Sequence, residues 1–425
     1  MKTLSFDVVI IGSGIVGSAI AYELSKYKIK LAVLEKNPSF ANETTATNSG
    51  IIHCGFDAEP NTLKAKLNVI GNKLWQEKIF PKVKFPRKQS DSVVIAFDDE
   101  ERAELLHLYN KGIQNNLNPK SLKILDEKAT KKLYHNLNPL VVSSLVCTNS
   151  WIIDSKKASL AFLQIAKNND AHLFENTKVE NIEFKNNVFF IQTNNPDFEF
   201  KTKVVINAAG TFADEISKLA GYPEFEQRFL RGQYLILSPL NNVDAKSIFF
   251  MTPTKYGKGV IVTTKLNGNI MVGPTAEEHS QRDEAKSVDL KLAKNIQEIG
   301  HKIFPDLNFS NIITTYAASR SIDVATSDFI IKAADKNPCF INVAGMQSPA
   351  ISSAPAIAKE VKKLVLKAKL TLSPTELSLL HIWLCLRRLR FLSRLLLYHL
   401  IINSSSFPLS VQCFIHTVLL FHSFL

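Results

Sequence analysis

Val8 to Ile11 form an unbroken apolar run near the start of the chain, and Leu31 to Leu34 form a second. Runs without polar alternation are what strands buried on both faces of a parallel sheet require. The stretch between them is helical from about Ile15, so residues 5–36 predict strand, helix, strand. Leu63 to Gln76 predict a helix with Leu63, Leu67, Ile70 and Leu74 on one face. Strand-like SVVIAF follows, then charged helical stretches around 99–113 and 127–134. Alternation in SSLVCTNSWIID (143–154) predicts an antiparallel strand, and residues 157–168 an amphipathic helix. VENIEFKNNVFFIQTNN (179–195) predicts a hairpin turning at Asn186-Asn187. KVVINAAGTFADEI (203–216) repeats the opening theme of buried strand, glycine turn and helix. Residues 231–275 hold several alternating strands, residues 285–304 a helix and CFINVAG (339–345) a strand. The turn MQSPAISSAP then leads into a helix from about Ala356. The pattern is that of an α/β protein.

The turn after the first strand carries chemistry. In DVVIIGSGIVG (7–17), Gly12, Gly14 and Gly17 have GxGxxG spacing, with a strand before and a helix after. The first glycine serves the tight turn, the second lets backbone approach a pyrophosphate, and the third lets helix pack on strand. The helix N-terminus presents N–H groups to an anion. Glu35 ends the second strand, where a carboxylate accepts both ribose hydroxyls of an adenosine. Lys2 before an apolar stretch imitates a signal peptide, but Asp7 and the absence of a small-residue cleavage pattern argue for a core strand.

Composition narrows the rest. A chain of 425 residues, 45% hydrophobic, can bury a large core and predicts two domains. We place a nucleotide-binding domain at 1–81, 145–220 and 320–368, and an inserted strand-rich domain at 82–144 and 221–319. Cys54, Cys147, Cys339, Cys385 and Cys413 are odd in number and lack CxxC spacing. They indicate a reducing, cytoplasmic setting and neither a disulfide framework nor a metal site. From Val361 onward eight basic residues face one acidic residue, Glu376, so this short segment holds +7 of the net charge of +12. The body is only mildly basic and lacks any helix-turn-helix, zinc-finger or RNP pattern, which argues against nucleic acid. Residues 369–425 form an atypical hydrophobic, basic tail in which Arg387, Arg388, Arg390 and Arg394 interrupt the apolar stretch. No uninterrupted span of about 20 apolar residues occurs there, as a membrane crossing needs. Two readings stay open for the tail: a basic interfacial helix giving peripheral membrane contact, or sequence without a fold.

TTATNSGIIHCG (44–55), NAAGTFAD (207–214), FMTPTKYGKGVIV (250–262), GPTA (273–276), SRSIDVATSDFII (319–331) and GMQSPAISSAPAI (345–357) carry a family resemblance. With GSGIVG and Glu35, the chain resembles the D-amino-acid-oxidase-like superfamily of FAD-dependent enzymes. Within it, the chain is most similar to the glycerol-3-phosphate oxidases of mollicutes, over residues 5–365. The NSGxIHxG box is shared with L-2-hydroxyglutarate oxidases. The resemblance implies a Rossmann-like FAD-binding domain of discontinuous segments and an inserted α+β substrate domain with a mostly antiparallel sheet. It implies FAD held by Gly12, Gly14, Val16, Gly17 and Glu35 for the ADP half, with Val179 meeting adenine through its backbone. Thr44, Thr45, Ser49, Gly50 and Ile51 would line the diphosphate and flavin, Gly210 follows the second buried strand, and Gly345, Met346 and Gln347 would approach the isoalloxazine. Ala350 stands where relatives commonly have glycine.

Oxidising an alcohol requires a base for the hydroxyl proton while hydride leaves carbon. An imidazole, with an ordinary pKa near 6.5, suits that role. From the residues alone, His53 reads equally well as a structural histidine in a glycine-flanked loop; the resemblance makes it the base. Lys258 and Arg320 suit a phosphate monoester, lysine as a point charge and arginine as a two-pronged donor. Ser49, His53 and Ser348 would add hydrogen bonds to substrate. Cys54 adjoins His53 and reads as a buried thiol. The resemblance implies oxidation of sn-glycerol 3-phosphate to dihydroxyacetone phosphate, with O2 reduced to H2O2. An L-2-hydroxy acid oxidase or dehydrogenase using the same His53, and an inactive flavin-binding protein, remain the alternatives. The oligomeric state and the choice of oxygen or quinone are not legible.

Overall fold

The computed structural model describes residues 2–240, 243–252, 259–279, 282, 289–368 and 370–374. Both large sheets and the site lie in one compact unit of residues 1–25 and 29–372; a second unit joins Lys26–Lys28 to the segment from Ser373, where Tyr27 and Pro374 form a lone β-bridge. The readings made for the tail fall on residues outside those described, apart from its first few.

Eight α-helices are described: α1 Ile15–Leu24, α2 Leu63–Leu74, α3 Asp99–Gln114, α4 Glu127–Leu133, α5 Ser155–Asn168, α6 Ala213–Leu219, α7 Leu290–Ile303 and α8 Ala350–Lys367. The first sheet runs in the order Val179–Lys185, Val188–Thr193, Phe198–Asn207, Lys2–Ile11, Leu31–Leu34, His172–Phe174. Lys2–Ile11 pairs in parallel with both neighbours, and Asn337–Ala344 pairs in parallel with the end of Phe198–Asn207. The unbroken apolar runs have the cause expected. Val8 and Ile10 enter the core beneath α1, α5 and α8, while Val9 and Ile11 enter a second core with Phe189 and Phe200. The hairpin turns at Asn186 and Asn187, both with positive φ, as a two-residue loop between strands of right-handed twist prefers.

The second sheet is mostly antiparallel: Glu277–His279, Gln227–Leu237, Ile270–Gly273, Ile261–Thr264, Ile248–Met251, Ser92–Ala96, Ser143–Cys147, Leu122–Asp126, with Ile312–Asp323 also on Gln227–Leu237. Its strands were expected to alternate, yet Ile270–Gly273 is buried throughout. Alternate residues feed two cores instead. Tyr234, Ile236, Phe250, Ile261 and Met271 pack on one face, and Leu235, Leu237, Phe249, Val262, Ile270 and Val272 on the other.

Three local expectations need correction. Residues 143–154 are two strands, Ser143–Cys147 and Trp151–Ile153, in different sheets, the second pairing with Ile51–Ile52 and Arg87–Gln89. Ile70 is exposed, because α2 turns Ala65, Leu67, Asn68, Gly71 and Asn72 inward and so buries small and polar residues as well as leucines. Helix α8 begins at Ala350, six residues before the expected start, with Pro355 inside it. A proline so placed cannot donate to the carbonyl four residues back, Ile351. The indole of Trp75, fully buried and stacked on Phe162, donates to that carbonyl at 2.9 Å. Ala350, as the first helical residue, needs no glycine. We expect Trp75→Phe to keep most of the buried ring but orphan this carbonyl, at about 1–3 kcal/mol. Thermal unfolding should show a lower Tm; an unchanged Tm would mean the carbonyl finds another donor.

Candidate active site

Gly12 turns the chain at φ +100° after the first strand. A Cβ on Gly17 would lie 2.1 Å from the Gly12 carbonyl oxygen, so the close packing of α1 on this turn admits no side chain. Gly14 is the N-cap of helix α1, which therefore has no side-chain cap, and no acidic residue lies in its first turn. Gly14, Ile15, Val16 and Gly17 line a cavity of about 520 Å³. The positive end of the α1 dipole thus opens onto a space shaped for an anion. These residues fit the pyrophosphate of a dinucleotide.

Glu35 stands behind this turn. It is buried, and its carboxylate accepts from the Ser13 hydroxyl at 2.5 Å, the Ser13 N–H at 3.2 Å and the Asn37 N–H at 3.0 Å. A carboxylate accepts about four hydrogen bonds, which leaves it room for another donor. Gly12, Glu35, Gly50, Val179 and Gly345 lie outside the cavity lining, and the Gly345 N–H is already committed to Gln227 Oε1 at 2.9 Å. Thr44, Thr45, Ser49, Ile51, Gly210, Met346 and Gln347 line the cavity. Thr45 Oγ1 accepts from the Ile15 N–H at 2.9 Å and Thr44 Oγ1 donates to the Ser319 carbonyl at 2.8 Å, so this loop links the α1 turn to the second sheet.

His53, Arg320 and Ser348 reach the same cavity. His53 Nε2 lies 3.3 Å from Ser348 Oγ, and its ring leans on Phe250 at 6.3 Å between centroids. Arg320 comes from the strand Ile312–Asp323, and its Nη2 donates to the Thr275 carbonyl at 2.9 Å. Burial presses the guanidinium below its ordinary pKa, against the opposing influence of Tyr234. Among the described residues no carboxylate pairs with Arg320. Gly232, on the neighbouring strand, leaves space beside the guanidinium. Lys258 falls outside the described residues; Gly259 beside it lines the cavity. Cys54 is buried, outside the lining, with its thiol 2.8 Å from Ser150 Oγ.

Tyr234, Tyr316 and Asn48 escaped the sequence reading. Tyr234 lines the cavity between Arg320 and Ser49, and burial raises its hydroxyl pKa despite both neighbours. Tyr316, whose ring packs on Tyr234 at 4.9 Å between centroids, donates to the Asn48 carbonyl at 3.1 Å. Asn48 folds the loop, its amide donating to the Thr44 and Thr45 carbonyls while its oxygen accepts from the Gly50 N–H. Alternating tyrosines in apolar strands look like core residues, which is why neither stood out.

A dinucleotide turn, an imidazole and a cationic anchor on one cavity fit a dinucleotide-dependent oxidoreductase of the Rossmann type. The chain belongs to the FAD dependent oxidoreductase family, which it matches over residues 7–364. It is 42% identical over 379 residues to the glycerol 3-phosphate oxidase of Mycoplasma genitalium, covering 88% of this chain and 98% of that one. The FAD-bound, dithionite-reduced L-alpha-glycerophosphate oxidase of Mycoplasma pneumoniae superposes with a TM-score of 0.85 at 38% identity, covering 88% of this chain and 97% of that one. The L-2-hydroxyglutarate dehydrogenase of Bos taurus is 31% identical over 313 residues, covering 70% of this chain and 66% of that one.

Proposed function

We propose that this protein oxidises sn-glycerol 3-phosphate to dihydroxyacetone phosphate, with O2 as acceptor and H2O2 as product. The observation that carries the reading is Arg320: a half-buried guanidinium without a carboxylate partner among the described residues, lining the cavity that His53 also lines. A half-buried charge without an ionic partner is poorly compensated, so such a site favours an anionic ligand. A phosphate monoester and a carboxylate both meet that need. The relatives separate them, since the glycerol 3-phosphate oxidase match is stronger and spans nearly the whole relative, whereas the hydroxyglutarate dehydrogenase match spans two thirds.

In this reading Gly12, Gly14, Val16, Gly17 and Glu35 hold the ADP half of FAD, with Val179 beside adenine. Thr44, Thr45, Ser49, Ile51, Gly210, Met346 and Gln347 line the rest, and Gly50 and Gly345 shape the backbone next to them in sequence without reaching the cavity. FAD supplies the acceptor for the substrate hydride. Arg320 and Lys258 hold the phosphate, Ser49 and Ser348 the hydroxyls, and His53 takes the C2 hydroxyl proton at Nε2. The Ser348 hydroxyl beside that nitrogen orients the ring for the task. The cofactor half is assigned to 1–81, 145–220 and 320–368, and the substrate half to 82–144 and 221–319. The separation of the two large sheets supports this division, although Ser143–Cys147 and Ile312–Asp323 run across its borders. Among the described residues no helix is long and apolar enough to cross a membrane.

Anaerobic addition of glycerol 3-phosphate to the yellow protein should bleach the flavin absorbance, and acid precipitation should leave the flavin in solution. Reduction by L-2-hydroxyglutarate and not by glycerol 3-phosphate would overturn the substrate, and flavin in the pellet would overturn non-covalent binding.

A further inference from the structure

We infer that Asn68, Asn72 and Ser352 are positioning residues that clamp the His53 peptide and so set the imidazole in the cavity. The inference rests on His53 being the base, and the test below separates the two.

A side chain is placed no better than the backbone that carries it, and His53 lies in a loop just past a two-residue strand, Ile51–Ile52. Such a segment has little secondary structure to fix it. Its peptide groups are held by side chains instead. The His53 N–H donates to Ser352 Oγ at 2.7 Å, and the His53 carbonyl accepts from Asn72 Nδ2 at 3.0 Å. With the Asn68 amide assigned by its hydrogen-bond network so that its oxygen faces the Gly55 N–H at 3.2 Å, its nitrogen donates to the same His53 carbonyl at 3.2 Å and to Ser352 Oγ at 3.3 Å. Asn68, Asn72 and Ser352 are at most 5% exposed. Asn72 is fixed in turn, since it also donates to the Asn149 carbonyl at 2.7 Å and accepts from Gln76 at 2.7 Å.

The helices explain how three polar side chains converge. Asn68 and Asn72 are four residues apart and share one face of α2. Gly71 lies between them, and a Cβ there would stand 2.1 Å from the Ser352 carbonyl oxygen. Helix α2 therefore meets α8 backbone to backbone at Gly71, which brings both amides within reach of the His53 peptide. Ser352, in the first turn of α8, holds the peptide, while Ser348, two residues before that helix, meets the ring nitrogen. Peptide and imidazole are thus referenced to one end of one helix.

The experiment is stopped-flow reduction of the FAD-loaded variants Asn72→Asp and Ser352→Ala by glycerol 3-phosphate, in H2O and D2O. Asn72→Asp preserves shape but removes the donor to the carbonyl. A displacement of a base by about 1 Å costs of the order of 100-fold, so the limiting rate should fall roughly 10- to 100-fold. The apparent Kd should stay within about twofold, because the lost interaction belongs to the transition state. The solvent isotope effect should grow as proton removal becomes limiting. Asn115→Ala is the control: Asn115 holds the Gly55 and Ala58 carbonyls of the same loop without touching His53, and it should reduce at the wild-type rate. Wild-type rates in Asn72→Asp and Ser352→Ala, or an equal loss in Asn115→Ala, would overturn the clamp. If His53→Ala alone slows reduction, the base stands and the clamp is rejected. If His53→Ala reduces at the wild-type rate, both fall.

Discussion

Replacing His53 with alanine is expected to slow flavin reduction by glycerol 3-phosphate by roughly 10²–10⁴-fold, the usual contribution of a positioned base. The bound FAD should remain. The α1 turn, the Thr44–Thr45 loop and the hydrogen bonds around Glu35 are built without the imidazole, so cofactor affinity should have little to lose. In the proposed reading His53 acts only on the reacting hydroxyl, through the nitrogen that lies 3.3 Å from Ser348 Oγ. Rapid-mixing reduction rates, alongside the FAD-to-protein ratio, decide the matter. A variant reduced at the wild-type rate returns His53 to a structural role, and one that loses FAD makes it a cofactor ligand.

Arg320→Lys is expected to lower kcat/KM for glycerol 3-phosphate by roughly 10- to 150-fold, corresponding to one charge-assisted hydrogen bond of about 1.5–3 kcal/mol. The change keeps a positive charge but loses the planar fork that matches phosphate oxygens. It also meets the burial that already presses the arginine downward, and lysine starts from a lower ordinary pKa, about 10.4. Glycerol, which has no phosphate to hold, should suffer much less. Steady-state rates on both substrates give the comparison. Equal losses would mean that Arg320 serves the flavin or the fold, and the hydroxy-acid reading would then lead.

The sequence made the cofactor half legible because its chemistry is local. Strand, glycine turn, helix and Glu35 all fall within the first three dozen residues, where apolar runs and glycine spacing determine the geometry. His53 was legible as a candidate from its box, and Arg320 and Ser348 from theirs. Nothing in the spacing revealed that Ser348 would meet His53 across 295 residues of chain. Tyr234 stayed hidden because it alternates in an apolar strand like any core residue, and only the second sheet places it beside Arg320. The early start of α8 was missed because Pro355 reads as a break; the Trp75 indole, 276 residues away, satisfies the carbonyl that the proline leaves without its helix partner. The clamp on His53 was missed for a related reason. Asn68, Gly71 and Asn72 weaken the apolar stripe of α2, and their value appears only where α2 meets α8.

We propose that the anion site beside His53 selects a phosphate monoester for oxidation. The most direct test of this proposal is aerobic turnover of the purified protein on glycerol 3-phosphate, glycerol and L-2-hydroxyglutarate at matched concentrations, with H2O2 and the carbonyl product both quantified. Glycerol 3-phosphate should be consumed fastest, releasing one H2O2 for each dihydroxyacetone phosphate. Faster turnover of L-2-hydroxyglutarate, or dihydroxyacetone phosphate formed without H2O2, would contradict it.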